Sequence, residues 1–457
     1  MSLKCFRFIL LFIAILCIGC FSYYNRNHKL NTAFESKNYK EAQDILSSKK
    51  WEKKQHNILL YYLNKGMVLH KLGLYKESNE YFQKADYFIE DFREKYWLSA
   101  ASLAVNATVK PYGGENHEKI LLHYFTTLNY LLLNDFEGAL IECKRMNIKM
   151  ENISSYYKNN NKYHRDAFAH LLTGLVYEAQ KDYNNAFIAY RNAYDIYKNE
   201  YVTLLNEQIP QQLKLDILRT AALSGFSSEV LYYEKEFGIK NNPEYNQSSF
   251  FVGFSNEGLC PVKQKFDLDF LITKDKNGNM LFANLETGLI IPVALGNNQN
   301  KENDLLKLKV IRISIPKYVS RTEENRNLSL KLNNTTYSVE TVENIDAIAH
   351  QSLKDRMIKE LGETLLRFAL KRIAEQKASQ SSEGLELALN VLNTITEQAD
   401  TRNWQLLPHS IKYVKIPVNN SKNQIIVSTQ KSISDTLSVT IKNKGALFFD
   451  LSALNYR

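Results

Sequence analysis

The chain has 457 residues, enough for two or three domains. An apolar fraction of 44% and a charged fraction of 23% exclude bulk disorder, and 17 glycines with 8 prolines exclude collagen-like and proline-rich architectures. The net charge of +9, from 58 basic and 49 acidic residues, is too small and too scattered for a nucleic-acid footprint.

The chain begins MSLKCFRFILLFIAILCIGC. Lys4 and Arg7 make a basic start, and Phe8 to Ile18 is an apolar run shorter than the about 20 residues a spanning helix needs. Gly19 then precedes Cys20. The pattern resembles a bacterial lipoprotein signal in which residues 1–19 are removed and Cys20 is acylated, with Cys17 standing where leucine is usual. The alternative is an uncleaved N-terminal anchor. One acyl chain binds a bilayer marginally, and several hold it firmly. Cys5 and Cys17 belong to the signal, which leaves Cys143 and Cys260 in the body. Two isolated cysteines suit buried apolar positions better than a disulfide framework or a zinc site.

Residues 20–242 contain repeats. Residues 60–93 and 168–197 align on Gly66 and Gly174, matching Tyr75 with Tyr183, Ser78 with Ala186, Phe82 with Tyr190 and Ala85 with Ala193. The pattern resembles the tetratricopeptide (TPR) repeat, a helix–turn–helix unit of about 34 residues. Small residues sit where paired helices touch, and large ones fill the seams between pairs. Two further units span 121–147, with Ala139, and 31–49, with Ala42. The small-residue marks at 42, 78, 139 and 186 are 36, 61 and 47 apart, so the array is uneven, with an extra helical stretch placed at Tyr96 to Val109. Residues 200–239 read as a closing helical pair. The predicted seam positions are Gly66, Tyr75, Ala85, Ala139, Gly174, Tyr183, Ala186 and Ala193. The first helix of each unit lines the concave face, and there Leu63, Met67, Tyr124, Leu128 and Leu171 belong to a mostly apolar stripe. So long an apolar groove is expected to be filled, either by the C-terminal half of the chain or by a partner helix or extended peptide.

Asn241-Asn242-Pro243 marks a boundary, and residues 243–457 change to strand periodicity. Strands are predicted at Phe250–Phe254, Phe266–Thr273, Met280–Leu285, Leu308–Ile315 (ending at Pro316), Leu328–Leu332 and Thr336–Val342. Others are predicted at Ile411–Val418, Gln424–Thr429, Thr436–Ile441 and Ala446–Leu451. Asn277-Gly278 between alternating runs signals a hairpin. A helical insertion covers 345–399, as a long helix from Ile345 to Gln376 and a shorter one from Leu385 to Ala399. Residues 297–304 and 419–423 read as surface loops. The expected fold is α+β: a TPR-like α-solenoid followed by a mostly antiparallel β-rich module with an inserted long helix.

Catalytic and cofactor signatures fail at specific positions. His117-Glu118 opens a zinc-protease motif, but Leu121 stands at its second histidine. Gly253 to Gly258 has P-loop spacing, but Leu259 replaces the lysine. Asp275, Asn277 and Asn279 imitate a calcium loop that lacks its central glycine. No metal or cofactor is expected, and the missing motifs disfavour an envelope hydrolase without excluding one. One stretch, Gln398 to Pro408, joins Asp400, Arg402 and Trp404 at a helix-to-strand junction. It reads either as a corner plug, with Asp400 bridging Arg402 and Trp404 covering the sheet end, or as a contact patch of the kind that dominates interfaces.

The runs Lys110-Pro111-Tyr112-Gly113-Gly114-Glu115, His123 to Phe125, Leu128 to Leu132 and Ala399 to Trp404 with Leu407-Pro408 together resemble a family of bacterial TPR-containing lipoproteins of unassigned function. The resemblance implies a lipidated, envelope-facing protein, held to a membrane through its N-terminal lipid, that works with protein partners and has no catalytic residues to carry over. The expected role is a non-enzymatic scaffold or adaptor facing the periplasm. The alternative is a glycan-binding outer-membrane lipoprotein. Neither reading involves nucleic acid, and the oligomeric state stays open.

Overall fold

The computed structural model describes residues 23–48, 51, 55–97, 111–156, 165–293, 299–321, 327–379, 399–418, 422–429, 434–440 and 445–453. The signal segment with Cys20, most of the stretch from Tyr96 to Val109, and the shorter helix of the insertion lie outside these residues.

After a short turn of helix, α1 (Tyr23–Arg26), the described residues of the N-terminal half form five antiparallel helix pairs. They are α2 (His28–Glu35) with α3 (Tyr39–Leu46), α4 (Ile58–Lys71) with α5 (Tyr75–Trp97), α6 (Asn116–Leu132) with α7 (Phe136–Tyr156), α8 (Ala167–Ala179) with α9 (Tyr183–Ile196), and α10 (Gln211–Leu223) with α11 (Ser227–Phe237). One turn closes every pair. Its left-handed residue is Lys37, Gly73, Asn134, Lys181 and Gly225 in succession. The following amide bonds back to the first helix at 2.9 to 3.0 Å, from Asn38 to Ala33, Leu74 to Leu69, Asp135 to Tyr130, Asp182 to Tyr177 and Phe226 to Ala221. This is the Schellman closure, which satisfies carbonyls that a helix end leaves open. The side chains differ, but the backbone requirement is the same.

Within each pair the contact is close. Gly66 and Gly174 lie under the rings of Phe82 and Tyr190, and a methyl group at either glycine would overlap the ring. Ser78 Oγ donates to the Gly66 carbonyl at 2.7 Å. Ala85, Ala139, Ala186 and Ala193 are fully buried, whereas Tyr75 and Tyr183 are half-buried at the turns. A π-helical segment, Tyr197–Leu205, extends α9 toward the last pair.

Beyond α12 (Pro243–Asn246) lie three four-stranded sheets. The first has the order β12-β1-β9-β8, from Ala446–Asp450, Ser249–Glu257, Ser410–Val418 and Glu340–Asn344. Its β1–β12 pair is parallel and the rest antiparallel. The second has the order β11-β10-β6-β7, from Ser434–Thr440, Lys422–Ser428, Ser329–Leu332 and Thr335–Ser338. The third has the order β4-β3-β2-β5, from Ile290–Pro292, Met280–Ala283, Val262–Lys274 and Val310–Val319.

The first sheet is buried on both faces. Phe250, Val252, Phe254, Ile411 and Tyr413 join the solenoid core, while Phe251, Val414, Ile416 and Val418 pack with Leu330, Ile425 and Val427 of the second sheet. The long helix α14 (Ile345–Ser379) covers the third sheet, where Leu361, Leu365 and Phe368 meet Phe270, Phe282 and Ile313.

Three local expectations change. Residues 299–308 form α13 (Gln299–Leu308) rather than a loop, with Leu305 buried on the third sheet. β5 runs through Pro316 to Val319, because it is an edge strand paired only with β2 and needs no outward amide at that residue. The predicted strand Thr336–Val342 is two strands in different sheets, β7 and β8.

Candidate functional site: a filled groove and an open cleft

The inner helices α4, α6 and α8 present Leu63, Met67, Tyr124, Leu128 and Leu171, all at most 1% exposed. What covers them is the chain's own C-terminal half. Phe254 stands edge-on to Tyr124 and Phe168, with ring centres 6.3 and 6.4 Å away. The Tyr124 hydroxyl donates to Asn256 Oδ1 at 3.1 Å. Farther along, Tyr197 donates to the Val342 carbonyl at 2.6 Å, and Tyr201 to Glu343 at 3.0 Å. Solenoid and first sheet thus share one apolar core.

Trp404 is central to that core. It is fully buried, edge-on to Phe82 at 5.9 Å and to Phe125 at 6.1 Å. Its backbone amide donates to Glu118 Oε1 at 2.6 Å. Asp400 and Arg402 pair at 2.6 Å, and Arg402 lies over the Tyr112 ring and donates to the His56 carbonyl at 2.9 Å. Of the three, only Asp400 retains appreciable exposure. The structure therefore places Arg402 and Trp404 as the corner plug and not as a contact patch: burial removes both from reach of a partner. Trp51 is also packed against the core.

The two most distinctive runs of the sequence meet here. Glu118 accepts from the Tyr112 hydroxyl at 2.7 Å and the Glu115 amide at 3.0 Å, besides the Trp404 amide. Burial, then the neighbouring Glu115, raises the Glu118 carboxyl above its ordinary range. Glu115 is bound by Lys263 and, at 2.6 Å, by Arg356. Burial opposes its ionisation, but Arg356 and Lys263 outweigh it and hold the carboxyl well below the usual range.

A second ionic cluster joins the far end of the solenoid to β9. Lys415 lies 2.8 Å from both oxygens of Glu178 and 2.7 Å from Asp216, and is 3% exposed. Arg219 and the Tyr190 hydroxyl complete the shell around Glu178. Burial raises Asp216 to about 6 against the pull of Lys415.

Glu343 forms a third centre. It is 2% exposed, accepts from Tyr201 and is hydrogen-bonded to Asp166, the cap of α8. Burial, then Asp166, raises its carboxyl well above the ordinary 4.5, so the native protein holds a proton that the unfolded chain releases. The stability from this group is fully present below that ordinary value and is lost as pH climbs toward the raised one, by up to about 1.4 kcal/mol per pH unit. Glu343→Gln imitates the protonated form. Its stability is expected to exceed that of the wild type increasingly as the pH rises above about 5, in urea titrations at a series of pH values.

Among the described residues, no group of three or more His, Cys, Asp and Glu side chains could hold a metal ion. Cys143 and Cys260 are free and buried, and burial pushes both thiols up to about 12.

An open cleft of about 510 Å³ remains where the solenoid begins. Tyr24, Phe34, Lys37 and Tyr39 form one wall, Met67, Lys71 and Phe125 the floor, and Asn256, Leu259, Arg321, Leu406 and Pro408 the other wall. Arg321 is fixed by bonds to the Cys260 carbonyl at 2.7 Å, the Gln405 carbonyl, and Glu35 at 3.3 Å. Asn256 is 7% exposed, and its Nδ2 has no hydrogen-bond partner. Lys415 and Glu343 carry no sequence motif. Only folding brings them to these places.

No protein-family model matches the chain, and no curated protein matches it. Among solved structures, the crystal structure of MamA protein aligns with 46% of this chain and 86% of its own at 15% identity and a TM-score of 0.29. A second MamA crystal structure aligns with 47% of this chain and 92% of its own at 14% identity and a TM-score of 0.28. The apo form of RapI aligns with 47% of this chain and 52% of its own at 15% identity and a TM-score of 0.34. On its own helix pairs and turns, the chain is a TPR-like helical solenoid whose inner face is closed by its own sheets.

Proposed function

We propose that this chain is a non-enzymatic scaffold, anchored by lipid at Cys20, within a bacterial cell-envelope protein assembly. The observation that carries the reading is on the outer face of the solenoid. With the concave side closed, the second helices α5, α7, α9 and α11 leave Tyr87, Ile141, Ile148, Ile188, Leu231 and Tyr232 exposed by 39 to 67%. Large apolar groups left exposed on successive second helices suit protein contact. Ile141 and Ile148 are seven residues apart on α7 and so share a face.

Two measurements test it. Metabolic labelling with a palmitate analogue is expected to mark the wild type and not Cys20→Ala. A photo-crosslinking residue at Ile141 is expected to capture defined envelope proteins, and Ile148→Asp is expected to reduce that capture about tenfold with little change in stability. Equal capture from Ile141 and from exposed Leu285 of the β-rich half would rule out the outer helices as the contact face.

A further inference from the structure

We infer that His123 is a charged clasp between the second and third helix pairs, and that raising the pH releases it. The inference concerns the isolated chain and does not require the scaffold reading. His123 lies on α6 and is 1% exposed. Its Nδ1 faces Glu142 Oε2 of α7 at 2.8 Å, and its Nε2 faces Asp86 Oδ1 of α5 at 3.6 Å. A neutral imidazole has one N–H and one bare lone pair. With a carboxylate at each nitrogen, either neutral tautomer turns its lone pair on a buried anion. Only the imidazolium presents a proton to both. At 3.6 Å the Asp86 contact is longer than a hydrogen bond, so it holds as attraction between charges.

The charge balance requires the same state. α5 brings Asp86 and Glu90 to the cluster, and α7 brings Glu142, Arg145 and Lys149. Lys149 pairs with Asp86 at 2.9 Å and with Glu90, and Arg145 pairs with Glu142 at 3.1 Å. Glu90 and Arg145 form the rim, with side chains 41 and 39% exposed. The enclosed part is therefore two carboxylates, Lys149 and His123, which balance only when the ring is charged. Along α6 itself, Lys119 answers to Glu115 and Glu118, and Tyr130, near Glu142, is held neutral chiefly by burial. α4 and α14 meet α6 elsewhere, through His70 against Phe125 and Arg356 against Glu115. Burial opposes the charge on His123, but Asp86 and Glu142 outweigh it and raise the imidazole above its ordinary 6.5. Burial likewise opposes ionisation of Asp86, but His123 and Lys149 hold that carboxyl well below the usual range.

Stability from a raised imidazole is fully present below its ordinary value and is lost as pH climbs through the raised one. The part that loosens is the junction of α5 with α6 and α7. Exposed Tyr87, Ile141 and Ile148 are the sequence neighbours of Asp86, Glu142 and Lys149. The clasp thus fixes the two helices that carry these three residues.

The test uses the full chain with nitrogen-15 in its histidine rings, followed by NMR from about pH 6 to about pH 9. The His123 signals, identified by their loss in His123→Gln, are expected to show both nitrogens protonated at about pH 7. Asp86→Asn removes one carboxylate and is expected to lower the His123 midpoint by about one pH unit. Amide hydrogen exchange, corrected for its intrinsic pH dependence, is expected to quicken in α5 to α7 above the wild-type midpoint, ahead of α8 to α11. In His123→Gln the same helices are expected to exchange quickly already at about pH 6. A bare ring nitrogen on His123 at about pH 7, an unmoved midpoint in Asp86→Asn, or equal quickening in α8 to α11 would overturn the inference. Should His123→Gln not fold, the wild type decides alone: nine histidines that each show a bare nitrogen at about pH 7 would overturn it.

Discussion

Replacing Lys415 by methionine is expected to destabilise the protein by about 3–5 kcal/mol, measured by urea unfolding at neutral pH. The magnitude follows from what is left behind. Lys415 is the ammonium between Glu178 and Asp216, all three buried where the sheet meets the solenoid. Glu178 would keep Arg219 and Tyr190, but Asp216 would be left with the neutral Gln212 amide, which donates to it at 2.9 Å. A buried pair is weak evidence for stability in itself, because desolvation offsets attraction, but a carboxylate stripped of its cation bears the desolvation uncompensated. Asp216 can escape by taking up a proton. Without Lys415 the Asp216 carboxyl is raised above about 6, so the loss is expected to shrink as the pH falls toward about 6 and to level off below it. Asp216→Asn should recover part of the loss in the Lys415→Met background. A double-mutant cycle that returned no coupling would show that the cluster is not one unit.

Trp404→Ala is expected to cost a similar about 3–5 kcal/mol, the range for truncating a fully enclosed aromatic. The effect should be spatially specific. Trp404 touches Phe82 of the second helix pair and Phe125 of the third, and its amide is held by Glu118. Hydrogen exchange should therefore quicken first in α4 to α6 and in β1, while the third sheet and α14 stay protected. Trp404→Phe should lose far less. The indole Nε1 has no hydrogen-bond partner, so the ring contributes by volume and edge contacts alone. Uniform acceleration across all three sheets would mean that Trp404 does not clasp these pairs specifically.

Much of the architecture was legible in local spacing. Gly66 with Phe82 and Gly174 with Tyr190 disclose the helix pairs because each ring needs a bare glycine one helix away. Asp275 to Asn279 reads as a turn, and the structure shows Asp275 accepting from the Asn277 and Asn279 amides at 2.8 Å. What escaped depends on distant partners. Pro316 looks like a strand end unless β5 is known to be an edge. Residues 297–304 look like a loop because asparagines hide the single buried Leu305. In the groove, apolar residues identify a surface that must be covered but not the cover. Lys415 and Glu343 look like solvated positions on alternating strands, and only the register of β8 and β9 against the solenoid buries them.

The parallel pairing of β12 with β1 sets an order of events for a growing chain. Residues 250–254 are made about two hundred positions before their neighbours at 446–450. Trp404, Lys415 and the rest of β9 likewise arrive long after the helices they cover. A nascent chain can therefore form its helix pairs one by one, but their oily inner surface stays open until Trp404, β9 and β12 have been synthesised. A product that stops short of these strands would present the apolar face of its helix pairs to solvent.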